Sequence, residues 1–424
     1  MNKRVVITGM GVCAPNGITL PGFTNALKSG KSGIRHEPEL ASLNFNCQIA
    51  GRPQLPDSYE TNYFTPLTLR NLNASGILYG VIAGMDAWKD AGLSPASNDQ
   101  PDWDSGIIFG TGILGVDKFR EAIYKVDEGN VRRLGSTTVI QTMASGISAF
   151  LGGMLGCGNQ VTTNSSACST GTESILMAYE RIASGKAARV LAGSCSDSGP
   201  YVWGGFDAMR ILPGKFNNEP EKASRPMSAS ASGFVPGSGA AAVVVESLES
   251  AKKRNASIYA ELLGGATNSG GQRGDGSMTA PNSASVIRCI REAVSNAGIT
   301  PKQIDLVNGH LTATSKDALE IKNWSVALNR SGKNFPYINS FKSTIGHCLA
   351  AAGSIECVGT LLQFNEKAIF PNINCEDLHP EIGNLVYNKK IPMQPIDFEP
   401  EIIAKASFGF GDVNTCIIFK KPTF

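Results

Sequence analysis

Ten short apolar runs punctuate the chain: RVVITG, SGIIFGTG, QVTTNSS, ARVLAGS, AAAVVVES, IYAELLGG, IDLVNGH, YINSFKS, IIAKASFGF and NTCIIFKK. They are short, many are rich in β-branched residues, and glycine or polar clusters flank them, so they read as buried strands. Between many of them apolar residues return at helical spacing, over residues 172–184, 285–297 and 346–364. Strands alternating with helices predict an α/β fold with mostly parallel sheets covered on both faces. No repeat of ~20–50 residues runs through the chain, which excludes a solenoid.

Two segments share a plan. TTNSSACSTGTESILMA and NSFKSTIGHCLAAAGSIECV each pass from a strand, through small residues, into a helix with Ala and Gly on its packing face. One such unit per half would fit a duplicated fold with pseudo-twofold symmetry. The Ser-, Gly- and Pro-rich stretch at 224–242 could pass for a linker, but Phe234, Val235 and the strand after them predict an ordered loop. The first residues, MNKRVVITGMG, superficially resemble a signal peptide. The run is short, β-branched and broken by Gly9 and Gly11, so a buried strand and turn is the better reading.

Composition narrows the function classes. At 424 residues the chain suits two domains, or one large domain with internal symmetry. Its 38 basic and 36 acidic residues nearly cancel, so no overall field favours nucleic acid or an anionic membrane. Nothing approaches the ~20 apolar residues of a membrane span. None of the ten cysteines forms a C-x-x-C pair and several sit in apolar stretches. That predicts free thiols in a reducing cytoplasm, and no zinc.

Cys168 stands alone among small residues in NSSACSTGTES, just before a predicted helix. The context suggests a nucleophile elbow, with helix N–H groups and dipole stabilising the thiolate. Taken alone, the stretch fits a buried structural cysteine better. Only four histidines occur, and two, in VNGHLTATSKD (His310) and KSTIGHCLAAAGS (His347), lie in comparably small, polar contexts. A cysteine and two histidines can supply a nucleophile, a proton acceptor and donors to a developing oxyanion. His36 and His379 sit in charged loops and read as surface residues.

The order Cys168, His310, Lys342 and His347 in NSFKSTIGHCLAAAGSIE, then ASFGFGDVN at 406–414, resembles the β-ketoacyl-acyl carrier protein synthases of the elongating (I/II) type. The likeness covers essentially the whole chain, including RVVITGMGVCAPNG, RPMSASASGFVPGSGAAAVVVESLESAKKR and IIFKK in the family's order. It implies a thiolase fold: two βαβαβαββ halves, 1–250 with the cysteine and 251–424 with the histidines and glycine-rich loop, in a five-layered α/β/α/β/α sandwich. It also implies a homodimer, an acyl carrier protein partner, and no cofactor beyond the carrier's phosphopantetheine. Cys168 would accept the acyl chain, and His310 and His347 would hold the malonyl thioester carbonyl during decarboxylation. Lys342 and Glu356 would form a supporting ion pair, and Thr312 and Thr314 would hold the pantetheine arm. The N–H groups of Cys168 and Phe410 would form the oxyanion hole, with Gly409, Phe410 and Gly411 on a gating loop. Ile113 and Phe206 would line the acyl tunnel, and Arg70 and Arg210 would dock the carrier.

Several positions depart from the family. Leu311 replaces a glycine, and one residue fewer separates His310 from Asp317, although Asp317 and Glu320 keep their mutual spacing. Asp412 stands where a small residue is usual. These changes read as divergence from housekeeping fatty acid synthesis, and look similar to ketosynthases of aryl polyene and flexirubin-type pathways. TGMGV lacks the third glycine and following acid of a dinucleotide site. A biosynthetic thiolase would want a second cysteine in the glycine-rich loop, and the initiating synthases an asparagine in place of His347. A cysteine hydrolase leaves Lys342 and the glycine loop unexplained. The other readings kept are the active subunit of a ketosynthase/chain-length-factor heterodimer and a thiolase-like acyltransferase.

Overall fold

The computed structural model describes residues 3–97 and 99–423. Ten strands form one sheet: β1 (Val5–Cys13), β2 (Ser105–Thr111), β3 (Val161–Thr162), β4 (Arg189–Ser196), β5 (Gly239–Ser247), β6 (Ala260–Ser269), β7 (Leu306–Asn308), β8 (Tyr337–Asn339), β9 (Ile402–Gly409) and β10 (Val413–Lys420). Their spatial order is β3-β2-β4-β5-β1-β6-β10-β9-β7-β8. Read outward from the centre, both halves run first, fifth, fourth, second, third strand. The duplication is therefore topological, and the seam is a short antiparallel pairing of Val5–Ile7 with Ala260–Leu262.

The expectation of mostly parallel sheets needs correcting. Only the outer pairs, β3–β2, β2–β4, β9–β7 and β7–β8, are parallel, while the five pairings between β4 and β9 are antiparallel. A continuous apolar run reports that both faces of a strand are covered and carries no information on direction. Here the covering is complete: every residue of β1, β2, β5 and β9 is buried. From Val5 on, RVVITGMG forms the buried strand its β-branched run predicts.

Helices α1 (Ser75–Asp90) and α2 (Gly146–Leu155) cover the outside of the first half, and α4 (Ser283–Asn296) and α5 (Asp317–Leu328) the outside of the second. Between the halves lie α3 (Thr170–Ala183) and α6 (Ala352–Glu366), each packing on strands of both. Every residue of α6 from Ala352 to Phe364 is buried, as a helix enclosed on all sides must be. These two central helices are the ones following the paired small-residue segments. Their close approach needs glycine: a Cβ at Gly171 would come within 2.3 Å of the Ser354 nitrogen, and one at Gly353 within 2.5 Å of the Thr172 nitrogen. Residues 224–238 form an ordered loop that leads into β5, with Phe234 and Val235 buried. No described helix is long and apolar enough to cross a membrane.

Candidate active site

Cys168 lies in a 3-10 turn, Ala167–Ser169, that leads directly into α3. Ala167 takes φ +48°, a left-handed conformation costly for any residue but glycine, as a sharp strand-to-helix elbow requires. The surrounding small polar residues hold that turn. Ser166 N–H donates to Thr170 Oγ1 at 2.8 Å, and Thr170 Oγ1 donates to the Ala167 carbonyl at 2.7 Å. Asn164 Nδ2 donates to Glu173 at 3.1 Å, and Ser166 Oγ donates to the same carboxylate. Gly409, at the end of β9, presses on the elbow, where an added Cβ would sit 3.1 Å from the Cys168 nitrogen. The next residue, Phe410, turns its N–H toward the Cys168 sulfur, as does Cys168's own N–H.

The thiol does not behave as the helix dipole alone predicts. Burial pushes its pKa up, outweighing the Phe410 N–H and the Lys342 charge that pull it down. At neutral pH Cys168 is a thiol needing a proton acceptor.

Two imidazoles adjoin the thiol. One donor atom each from Cys168, His310 and His347 lie within 4.8 Å of one another, and the two imidazoles stand edge to face at 5.4 Å. Burial, then the charge of Lys342, drives both histidines well below the ordinary range, so both are neutral. Leu349 N–H donates to His347 Nδ1 at 3.0 Å, which leaves the proton of that ring on Nε2. Phe234 and Phe408 flank the rings, at 5.1 Å from His347 and 6.1 Å from His310.

Carboxylates on α5 shape the loop that carries His310. Glu320 accepts the N–H groups of His310 and Leu311, each at 2.7 Å. Asp317 accepts those of Thr312, Ala313 and Met227 at 2.8–3.1 Å. Burial raises both, Glu320 to about 7. This bracing explains how Leu311 and Ala313 hold φ of +21° and +63° without glycine. Behind the loop, Lys342 Nζ donates to the His310 carbonyl at 2.7 Å and pairs with Glu356 Oε1 in full burial.

A cavity of about 270 Å³ opens onto these groups. Its walls include Cys168, His310, His347, Thr312, Thr314, Phe206, Gly409 and Phe410. Thr312 and Thr314 touch through their hydroxyls at 3.0 Å. Phe206 meets Phe234 at 5.5 Å and Phe410 at 6.2 Å. Gly411 follows at φ +88°. Asp412, the departure in this loop, is buried and accepts the N–H groups of Asn282 at 2.7 Å and Gln272 at 2.9 Å, so it ties the β9–β10 hairpin to residues 270–282. Ile113 stays outside the cavity wall, 51% exposed. Arg70 is exposed on the short helix Pro66–Asn71 and Arg210 on a turn beside the wall residues Met209 and Ile211. His36 is exposed, while His379 caps the helix Pro380–Leu385.

Some contributors carried weaker sequence signals. Lys405, a lone cation in an apolar strand, pairs with the free oxygen of Glu356, and that misfit was its signal. Met209, Ile211, Phe234 and Leu349 wall the cavity but resemble ordinary core residues. A Cys–His–His set could ligate a metal. The donor set argues against one: a dication would face the two buried lysines behind the histidines, and no carboxylate joins the cluster.

A duplicated thiolase-type fold with a cysteine elbow, two neutral imidazoles and paired N–H donors defines an acyl-transfer enzyme of the condensing class. More narrowly, the chain belongs to the beta-ketoacyl synthase family, whose N-terminal domain matches residues 2–251 and whose C-terminal domain matches residues 259–376. It is 35% identical to 3-oxoacyl-[acyl-carrier-protein] synthase 2 of Vibrio harveyi over 99% of each chain. To 3-oxoacyl-[acyl-carrier-protein] synthase 1 of Escherichia coli it is 32% identical, again over 99% of each. A beta-ketoacyl synthase structure from Burkholderia phymatum superposes with a TM-score of 0.88 at 28% identity, covering 99% of this chain and 100% of that one. A type II polyketide synthase acyl-carrier protein in complex with its ketosynthase gives 0.87 at 26% identity over 100% of each chain.

Proposed function

We propose that the chain joins a malonyl unit to a growing acyl chain by decarboxylating Claisen condensation, with both substrates delivered on acyl carrier protein. The Cys168 sulfur attacks the acyl thioester and the carbonyl oxygen takes its negative charge between the N–H groups of Cys168 and Phe410; the carrier sulfur then leaves as a thiol, taking the proton that Cys168 gives up. Malonyl-carrier protein then enters, its pantetheine arm against Thr312 and Thr314. His310 and His347 donate to the thioester carbonyl while the carbon–carboxylate bond breaks and carbon dioxide departs. The resulting carbanion attacks the acyl carbon on Cys168, the carbon–carbon bond forms, and the sulfur is released. Lys342 and Glu356 position the histidines, and Gly409 to Gly411 open the cavity to acyl chains. No further cofactor or metal is needed for these steps.

The observation that carries this reading is the convergence of two backbone N–H groups and two neutral imidazoles on one sulfur. We take the halves as 1–250 and 251–424. Two copies would pair along the edge strand β3, where Val161 is exposed; Ile113, exposed just after β2, would then meet the acyl tunnel across that interface. Phe206 would line the tunnel in its own chain, and Arg70 and Arg210 would receive the acidic carrier. One chain of the ishigamide ketosynthase/chain length factor superposes at 25% identity and a TM-score of 0.88, which supports heterodimer formation as the second reading. The ten free thiols suit a cytoplasmic enzyme of fatty acid or type II polyketide synthesis.

Acyl- and malonyl-carrier protein should together yield β-ketoacyl-carrier protein, with intact mass showing the acyl group on Cys168. Acylation without carbon dioxide release or chain extension would refute condensation. Sedimentation of the purified chain separates the readings, since a stable homodimer removes the need for a chain-length factor.

A further inference from the structure

One buried charge has no place in the chemistry above. Lys405 is fully enclosed in β9, its ammonium 2.8 Å from Glu356 Oε2, while Lys342 holds Oε1. Its other contacts are the Ala406 carbonyl and, at 3.1 Å, Ser407 Oγ, whose hydroxyl meets Thr172 on α3 at 2.8 Å. One carboxylate thus faces two ammonium groups with no access to water. A buried charge is costly unless something offsets it. One lysine is enough to neutralise Glu356, so the second is a surplus that needs an anion.

We propose that Lys405 is a positioning residue whose hold on Glu356 leaves this buried cluster one positive charge in excess, set behind Cys168, His310 and His347 where a substrate anion forms. The assignment rests on the proposed function, in which a malonyl carboxylate enters and an enolate oxygen develops at that point. In a dry interior such a charge acts across the thickness of a side chain, and it costs no reorganisation during reaction. The same charge opposes protonation of the imidazoles, which must stay neutral to donate without surrendering a proton. Facing the histidines are Lys342, Lys405 and Glu356 from α6 and its neighbours, Glu320 and Asp317 from α5, and the Cys168 thiol; Cys357 and Cys416 adjoin Lys405. Glu320 and Asp317 are committed to backbone N–H groups of residues 310–314, and the charges that bear on both imidazoles are the two lysines.

Lys405→Met removes the charge and keeps the length of the side chain. With four histidines in the chain, carbon-13-labelled imidazoles can be followed individually by NMR during a pH titration. We expect at least one of the His310 and His347 midpoints to rise by about one pH unit in the variant. Malonyl-carrier protein decarboxylation should lose about tenfold in kcat as the enolate oxygen loses its counter-charge, and any rise in KM reports the same charge acting on the entering carboxylate. Titration midpoints and kcat both equal to wild type would overturn the proposal. The double variant Lys405→Met/Glu356→Gln leaves Lys342 as the single buried charge and restores the excess; it carries the test if the single variant does not fold. Midpoints at wild-type values there support the assignment, and midpoints still raised overturn it. A wild-type enzyme that releases no carbon dioxide, alongside displaced midpoints in the variant, would refute condensation while upholding the charge assignment.

Discussion

The N-terminal half enters its central helix through the turn Ala167–Ser169, with Ala167 at φ +48°; the C-terminal half enters its own through Leu349–Ala351, with Leu349 at φ +51°. From these elbows the residues correspond one for one. Cys168 answers to Ala350, Gly171 to Gly353, and Thr172 to Ser354. Thr172 meets Ser407 on β9 at 2.8 Å, and Ser354 meets Ser194 on β4 at 2.7 Å, each reaching into the opposite half. The backbone frame is thus common to both halves and set by packing, whereas only one of the two elbows carries a nucleophile, and the other half supplies the imidazoles that face it. The connection from the fourth to the fifth strand makes that difference. In the second half it is a three-residue hairpin that brings the Phe410 N–H to the sulfur. In the first half it is the excursion over residues 197–238, which supplies the Phe206 and Phe234 walls. A symmetric scaffold becomes an asymmetric site through its loops.

The harshest challenge to that comparison moves the nucleophile. Cys168→Ala should abolish acylation and condensation, because the atom that would carry the acyl group is gone. Adding Ala350→Cys should restore none of it, because no N–H pair or imidazole pair faces position 350; intact-mass labelling with acyl-carrier protein reads both. Cys168→Gln, by contrast, should still release carbon dioxide from malonyl-carrier protein. Removing either histidine should cut that release by about a hundredfold or more, the usual cost of an oxyanion donor.

pH separates the two sets of groups. Because burial raises the Cys168 thiol, acylation should climb as pH rises from neutral into the alkaline range. The histidine pair contributes in the opposite region. Folded His310 and His347 resist protonation that the unfolded chain accepts, so stability is fully present above about pH 6.5 and is lost as pH falls below it. Chemical denaturation of His310→Asn and His347→Asn against wild type, across pH 5 to 7, should show a shallower slope in each variant.

Gly171→Ala and Gly353→Ala test the shared frame. Both force a Cβ against the opposing helix and should cost about 1–3 kcal/mol of stability. Only Gly171→Ala, one turn from Cys168, should also slow acylation. Phe206→Ala should alter discrimination between acyl lengths by only ~1–3 kcal/mol, seen in condensation rates over a chain-length series.

Much of the site could be read in advance because it depends on side chains rare in this chain. Four histidines, and one cysteine set among Ser, Ala and Gly, leave few partners to choose from. The helix segments at 172–184 and 285–297 agree with α3 and α4 to within two residues. Strand direction was hidden, since covered strands look alike whichever way they run. So was the raised thiol pKa: the sequence displays the helix end near Cys168 but not the enclosing walls that desolvate its sulfur. Lys405 was visible as a misfit, but its partner, Glu356, is 49 residues away and only the fold joins them. Ile113 shows a different limit, since its proposed role needs a second chain.

In the proposed condensation the hydrogen bond from Leu349 N–H to His347 Nδ1 would decide the fate of the carbanion. It leaves that imidazole with a single proton, on Nε2, which the enolate oxygen would engage, and burial with the lysine charges keeps a second from arriving. The carbanion would then be stabilised by a ring with no spare acid to quench it, and would persist until it met the acyl carbon on Cys168. Carbon–carbon bond formation would compete only with protons from water. In heavy water the deuterated acetyl by-product should therefore grow when the cavity is opened to solvent.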